Sequence, residues 1–433
     1  MNLNKEKITN CVTLSTVKTD KFKTSVISFS ITLPMTKADF AHNLLLSHLL
    51  RRGTKSYPST ALLNKRLDEL YGSYIEIKSH RIGENISLIL TAEILDNKFV
   101  PDGTDVLADT INIASELILA PAFAQENFNV EFFEQEKKLI CESIDAEINN
   151  TRVYAARRCA ELMQENTAIP TSKELKELVS QISTESLLAY RSYLISNAPI
   201  NIFYIGSQEK CVVKEKISAA FLNYPCKKTA ELIFPRPLKR GGLLELSEQM
   251  PVSQGKLTLG FSTGICGSQS NDSYYTAMLL NEILGGSASS KLFLNVREKL
   301  SLCYYCSSSF SVFSGLLLIF SGFEVKNYEV ARKAIFEQIE DIKQGKISDG
   351  ELLSAKRSLT SGYRQIYDSP FELQAFFGDR ALFNITDDID STIQKILSVT
   401  IDDIVKIASN IKFEASYFIE GTLSAETEEE QYE

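Results

Sequence analysis

The apolar positions of this chain change period from segment to segment, and each change marks an element. "TSVISFSITL" (24–33) alternates and is rich in β-branched residues, which predicts a strand. A helical period follows over 37–51, stopped by Gly53, and a second runs from Ser59 to Tyr71, stopped by Gly72. Two strand patterns, "SYIEIKS" and "NISLILTAEI", come next, and helical patterns then cover about 101–119, 125–149, 151–165 and 172–194. "INIFYIG" (200–206) predicts a closing strand, with a helix after it to about 223.

The series begins again after "FPRPLKRGG" (234–242), a Pro/Gly/basic stretch that reads as a linker. "GKLTLGFSTG" predicts a strand, 272–285 and 288–300 two helices, and "CYYCSSSFSV" and "GLLLIFSGF" a strand pair. Helical patterns near 326–344, 348–367 and 400–410 precede a last strand, "ASYFIEG", and the acidic tail "AETEEEQYE" is expected to be disordered. The order strand, helix, helix, two strands, long helices thus occurs twice. A shift of 230 positions lays "LDELYGSY" (67–74) over "REKLSLCY" (297–304), Leu70 on Leu300 and Tyr74 on Tyr304. An internal duplication follows. The predicted fold class is α+β: two homologous halves of about 220 residues, each a mostly antiparallel sheet packed with helices. The expected boundaries are 1–223 and 246–433, with a linker over 224–245.

Composition narrows the class. A chain of 433 residues exceeds one ordinary core, and length alone allows two to four domains. Its 44% hydrophobic and 23% charged residues are those of a soluble globular protein. A formal net charge of −9 argues against nucleic-acid binding, which calls for a basic face. No apolar run approaches the roughly 18 residues of a membrane helix, so no membrane partner is expected. The start "MNLNKEKITNC" lacks the apolar centre of a signal peptide, and eight cysteines are sparse for this length. Reduced thiols and a cytoplasmic location are the expectation.

Little is left to carry chemistry. The chain has three histidines, His42, His48 and His80. In "NLLLSHLLRRGT" (43–54), Leu44, Ser47 and His48 fall at i, i+3 and i+4 and share one helical face. With His, Glu and His in those places the segment would read H-x-x-E-H, the inverted zinc-peptidase signature; it reads L-x-x-S-H. His42 lies on another face of that helix, and His80 in a strand pattern reads as a surface residue. Cys303 and Cys306 have the C-x-x-C spacing, but strand alternation would point them to opposite faces, so no functional pair is expected.

"NEILGGSASSKLFLNVREKLSLCYYCSSSF" (281–310), "SHLLRRGTKSYPS", "LDELYGSYIEI" and "EKKLICESIDAEINN" resemble the pitrilysin family of inverted-zincin metallopeptidases, which includes insulinase and the mitochondrial processing peptidase. The resemblance covers nearly the whole chain and implies that fold. It also implies a dismantled metal site. Family enzymes bind zinc through both histidines of H-x-x-E-H and a later glutamate, with the motif's glutamate as the base. Three ligands leave one position for an activated water, and a carboxylate takes its proton. The match puts Leu44 at the first histidine, Ser47 at the base and His48 at the second histidine. Ser143 falls at the distal ligand and Glu136 at its upstream partner, while a one-residue slip would put Glu142 there. Without zinc, Glu136 reads as a solvated helix charge. No catalytic residue, metal ligand or cofactor is therefore assigned to this chain.

The substrate-binding residues fare differently. The family uses an arginine and a tyrosine, seven apart, to hold the peptide backbone and stabilise the tetrahedral intermediate, and Arg297 and Tyr304 stand in those places. By pattern alone, Arg297 belongs to a solvated helix end and Tyr304 to a β-core. Gly285 and Gly286 either stop a helix or let an extended peptide approach the backbone. The resemblance implies a non-catalytic, substrate-binding subunit of a two-chain peptidase, its partners a zinc-bearing sister subunit and a peptide substrate. The alternative is a non-proteolytic binding or scaffold protein on the same fold.

Overall fold

The computed structural model describes residues 3–125, 130–164, 167–227, 229–267, 272–383 and 385–423. The acidic tail and the first residues of the 125–149 helical pattern lie outside them. The first half builds a six-stranded sheet from β1 (Asn4–Lys7), β2 (Val12–Lys18), β3 (Thr24–Pro34), β4 (Tyr74–Ile82), β5 (Asn85–Leu95) and β6 (Ile200–Gly206), in the order β1-β2-β6-β3-β5-β4. The second half builds a five-stranded sheet from β7 (Leu244–Met250), β8 (Gln254–Ser262), β9 (Tyr305–Phe310), β10 (Leu316–Glu324) and β11 (Lys412–Gly421), in the order β7-β11-β8-β10-β9. With β1 set aside, the two orders are the same element for element. In each sheet the first strand pairs parallel with the last, β2 with β6 and β7 with β11, while the remaining neighbours are antiparallel.

The duplication extends to backbone conformation. Among the described residues the non-glycine positions with positive φ are Tyr71 (59°) and Ser301 (50°), which the same 230-residue shift superimposes. Left-handed backbone is unfavourable for residues with a Cβ, so the recurrence marks one turn kept in both halves. Tyr74 and Tyr304 follow it, 58% and 51% exposed. Leu70 and Leu300 have diverged: the first is fully buried and the second half-exposed.

Central strands are buried on both faces. In β3 the polar positions that alternation would send to water, such as Ser25, Ser28 and Thr32, are buried with the apolar ones. Two of these hydroxyls are satisfied internally, Thr32 Oγ1 meeting Ser87 Oγ at 2.9 Å and Ser25 donating to Asp96 Oδ2 at 2.5 Å. Two-faced burial requires helices on both sides. One compact unit comprises Met1–Ile144, Ala168–Ile233 and Ile366–Asp379; the other comprises Asp145–Thr167, Phe234–Gln365 and Arg380–Glu433. Each unit therefore includes a helical segment from the opposite half of the sequence. In the first, Phe377 of the Pro370–Leu382 helix stacks on Phe203 of β6 at 6.0 Å. In the second, the Thr151–Met163 helix packs on β8 and β11, where Cys159 and Met163 fill the space beside Gly260.

The helix that holds the candidate site, Lys37–Leu50, opens with a capping box: Asp39 N–H donates to Thr36 Oγ1 at 3.1 Å and Thr36 N–H to Asp39 Oδ2 at 2.9 Å. Ala41, Leu45, Leu46, Leu49 and Leu50 are buried in the core. Arg51 Nε fixes its far end to Ile77 O of β4 at 3.0 Å. Gly53 has φ +135°, and a Cβ there would sit 2.3 Å from Tyr57 O. Gly53→Ala is expected to cost about 2 kcal/mol or more in unfolding free energy, read as a lower urea midpoint with an unchanged slope.

Candidate functional site

The face of the Lys37–Leu50 helix that would carry a metal is closed by its own chemistry. Ser47 is buried, and its hydroxyl donates to Leu44 O at 2.7 Å, so it is engaged with its own helix. Leu44 packs against the core. His48 Nδ1 meets Glu136 Oε2 at 3.1 Å, across to the Val130–Ala146 helix. Arg52, one turn after His48, grips the other oxygen: Nε to Oε1 at 2.7 Å and Nη2 to Oε1 at 2.5 Å. The Arg52 guanidinium also lies over the Phe132 ring, 4.9 Å from its centroid.

Glu136 is only 7% exposed and is no solvated helix charge; that expectation is corrected here. It shares the inward face of its helix with Phe133 and Ile140, at i−3 and i+4, a spacing visible in the sequence. Burial pushes its carboxyl up, but the His48 hydrogen bond and the Arg52 charge outweigh burial and hold it below the usual carboxylate range. Seven residues return a helix to within about 20° of the same side, so Ser143 is in phase with Glu136; six leave Glu142 about 120° away. Glu142 is exposed and pairs with Lys138 at 3.6 Å, so the one-residue slip supplies no ligand. Ser143 Oγ donates to Ile140 O at 2.8 Å.

These residues do not fit a catalytic zinc. A zinc site needs three converging donors and an open position. Here one position is a leucine, two are serines bonded to backbone carbonyls, and the nitrogen of the remaining histidine faces a carboxylate already held by arginine. The other histidines are elsewhere. His42 bonds Ala38 O at 2.8 Å and Ser186 Oγ at 3.2 Å, and His80 lies partly buried in β4. Among the described residues no group of three or more His, Cys, Asp or Glu side chains could hold a metal ion.

The second-half residues lie on a continuous run of helix and strand. Ser273–Asn281 passes directly into a π-wound segment, Glu282–Gly286, so both glycines are helical. A Cβ on Gly285 would lie 2.6 Å from Ser308 N, so the missing side chain lets β9 pack against the helix. Gly286 is exposed and ends the segment. Arg297 closes a second π-wound helix, Leu292–Lys299, with its guanidinium 4.7 Å from the Phe293 ring centroid and Glu298 Oε1 at 3.5 Å. Tyr304 precedes β9. Its N–H donates to Gly322 O at 2.8 Å, and its phenol reaches solvent, not a β-core.

Cys303 and Cys306 are together, contrary to the expectation from alternation. β9 begins only at Tyr305, so Cys303 belongs to the turn before it and the strand's parity does not apply. Both thiols are buried beside Ser321 of β10, whose hydroxyl donates to Cys303 Sγ at 3.1 Å and which stands opposite Cys306 in the sheet register.

Two matched half-sheets with a closed metal position define a duplicated α+β protein of inverted-zincin ancestry. Residues 181–359 match the family description "Peptidase M16 inactive domain". The "Probable inactive metalloprotease YmfF" of Bacillus subtilis (strain 168) is 31% identical over 417 residues, covering 96% of this chain and 97% of that protein. A conserved protein from Enterococcus faecalis V583, known from its crystal structure, superimposes with a TM-score of 0.87 at 26% identity, covering 97% of this chain and 99% of that one. A peptidase M16 inactive domain from Pseudomonas fluorescens shares the fold, with a TM-score of 0.79 at 15% identity over 98% of this chain and 99% of that one. The chain belongs to the M16, pitrilysin-like peptidase family as a member without the zinc motif.

The ion pair makes a pH-dependent prediction. Glu136 has a folded pKa below its ordinary 4.5, so its stabilisation is complete above that value and disappears as pH falls through the lowered folded value. Glu136→Gln is expected to lose about 1.5–3 kcal/mol near neutrality, with the gap from the native chain closing in acid, as read from urea unfolding across pH.

Proposed function

We propose that the chain is the substrate-binding, non-catalytic subunit of a two-chain pitrilysin-like peptidase, working in the cytoplasm with a zinc-bearing sister chain. The carrying observation is an asymmetry. The metal face of the first half is sealed by the Glu136–His48–Arg52 contact, while Arg297 and Tyr304 in the second half point polar groups at solvent. No helix among the described residues is long and apolar enough to cross a membrane, in keeping with an encounter in solution. The proposed division of roles follows from chemistry. Arg297 supplies a fixed positive charge and Tyr304 a single hydrogen-bond donor, a pair suited to a peptide carbonyl as negative charge develops on it. With no metal position to serve in its own first half, the pair acts on a peptide held at the partner's site.

The test is reconstitution with a candidate sister chain that carries H-x-x-E-H. Alone, the chain is expected to cleave no peptide and, after chelator treatment, to retain no stoichiometric zinc on re-addition. With the sister chain, Tyr304→Phe or Arg297→Ala is expected to lower peptide turnover at least tenfold, since losing one such donor typically costs about 10²–10³. Association measured in parallel should be unchanged. Full turnover by both variants would make the pair structural and turn the assignment toward a non-proteolytic binding protein.

A further inference from the structure

The turn that carries Tyr304 is bracketed by cysteines, and nothing in the proposed peptide-binding role uses them. Cys303 is 9% exposed and Cys306 3%, and both belong to the same core cluster of the second unit. Ser321 of β10 is fully buried and stands opposite Cys306 in the β9–β10 register, while its hydroxyl donates to Cys303 Sγ at 3.1 Å. One hydroxyl therefore serves a thiol in the turn and faces the strand residue that carries the other. Ser301, two residues before Cys303, holds left-handed backbone at φ 50°, and β9 begins two residues after Cys303.

We infer that Cys303 and Cys306 form a dithiol–disulfide redox pair that exchanges with low-molecular-weight disulfides of the glutathione class. Cys303 is the attacking thiol and Cys306 the resolving one. The neighbouring Cys306 thiol and the Ser321 hydroxyl together outweigh burial and lower the Cys303 thiol, while the Cys303 thiol and burial raise Cys306 well above its usual value. Cys303 is also the more accessible of the two. The Cys303 thiolate attacks one sulfur of the small disulfide and expels a thiolate, leaving a mixed disulfide on Cys303. Cys306 then attacks Cys303 Sγ, the Cys303–Cys306 bond forms, and the second small thiolate leaves. The two thiol protons end on the two expelled thiols. The protein loses two electrons, and one small disulfide becomes two thiols. The product closes a ring around Tyr304 and Tyr305. This pair stands independently of the role proposed for Arg297 and Tyr304.

The experiment uses the full chain, folded and reduced, exposed to oxidised glutathione, then quenched in acid, alkylated, digested and mapped by mass spectrometry. Cys211, exposed in the structure, reports that the oxidant has acted. The expected result is a peptide containing both cysteines, unalkylated and lighter by two hydrogens, restored by reduced glutathione. Cys306→Ser should instead trap glutathione on Cys303. Cys303→Ser should leave Cys306 modified about tenfold more slowly or worse. Both thiols fully alkylated in native protein whose Cys211 has been glutathionylated would overturn the proposal. So would glutathione trapped on Cys306 in preference to Cys303. The native-protein arm needs no variant to fold, and circular dichroism checks that each variant does.

Discussion

Burial of the central strands on both faces is the constraint on which the rest of this structure depends. A strand such as β3, with Ser25, Ser28 and Thr32 sealed among apolar neighbours, is stable only if helices cover both sides of its sheet and each buried hydroxyl finds a partner. One layer comes from helices that are local in sequence, including Lys37–Leu50. The other comes from far away in the chain: Phe377 on β6 in one unit, Cys159 and Met163 on β8 in the other. Neither half of the sequence, cut at the linker, contains every segment its sheet is packed with. Folding therefore couples the halves through chain connectivity, a long-range requirement that an internal duplication satisfies reciprocally.

Within that frame the first half shows how a metal position can be retired without leaving a hole. Removing ligands one by one would strand a buried carboxylate, and an unpaired buried charge is strongly destabilising. Glu136 is not stranded. Arg52 supplies the positive charge that a metal site would have had nearby, His48 supplies a hydrogen bond, and the two serines turn their hydroxyls back onto their own helices. The result is a hydrogen-bonded, charge-balanced contact between the Val130–Ala146 helix and the C-terminal end of Lys37–Leu50. The fold persists because its stability comes from packing and from this ion pair.

The second half presents its polar side chains from a turn of fixed backbone. Arg297 and Tyr304 flank a turn whose backbone is fixed by Ser301, by the Tyr304–Gly322 bond and by the Gly285–Ser308 approach. The turn's backbone is thus held by contacts that involve neither the Arg297 guanidinium nor the Tyr304 phenol. Beside it Cys303 is buried under the Ser321 hydroxyl, and Cys306 stands opposite that same serine. Two exposed polar side chains and two buried cysteines thus share one short segment.

The repeated order of elements, the Leu/Tyr correspondences around the two turns and the vacant metal motif were all legible in the sequence, because period and spacing are local properties. β2 and β7 escaped notice. β7 in particular exposes most of "LELSEQM", so pairing with β11 makes it a strand and no hydrophobic alternation does. The Pro370–Leu382 helix carries no sign of which sheet it covers. Glu136 was misread for the same physical reason: a helix period can show that a carboxylate faces inward, but burial is tolerated only if partners arrive from another helix. The cysteine pair was missed because parity arguments hold only inside a strand, and β9 starts two residues after Cys303. Sequence by itself determined most of the elements, that their order repeats, and which ligands are gone. Tertiary structure decided which distant helix seals each sheet, which charges meet and which serine stands beside both buried thiols, because those depend on contacts between residues that no local period connects.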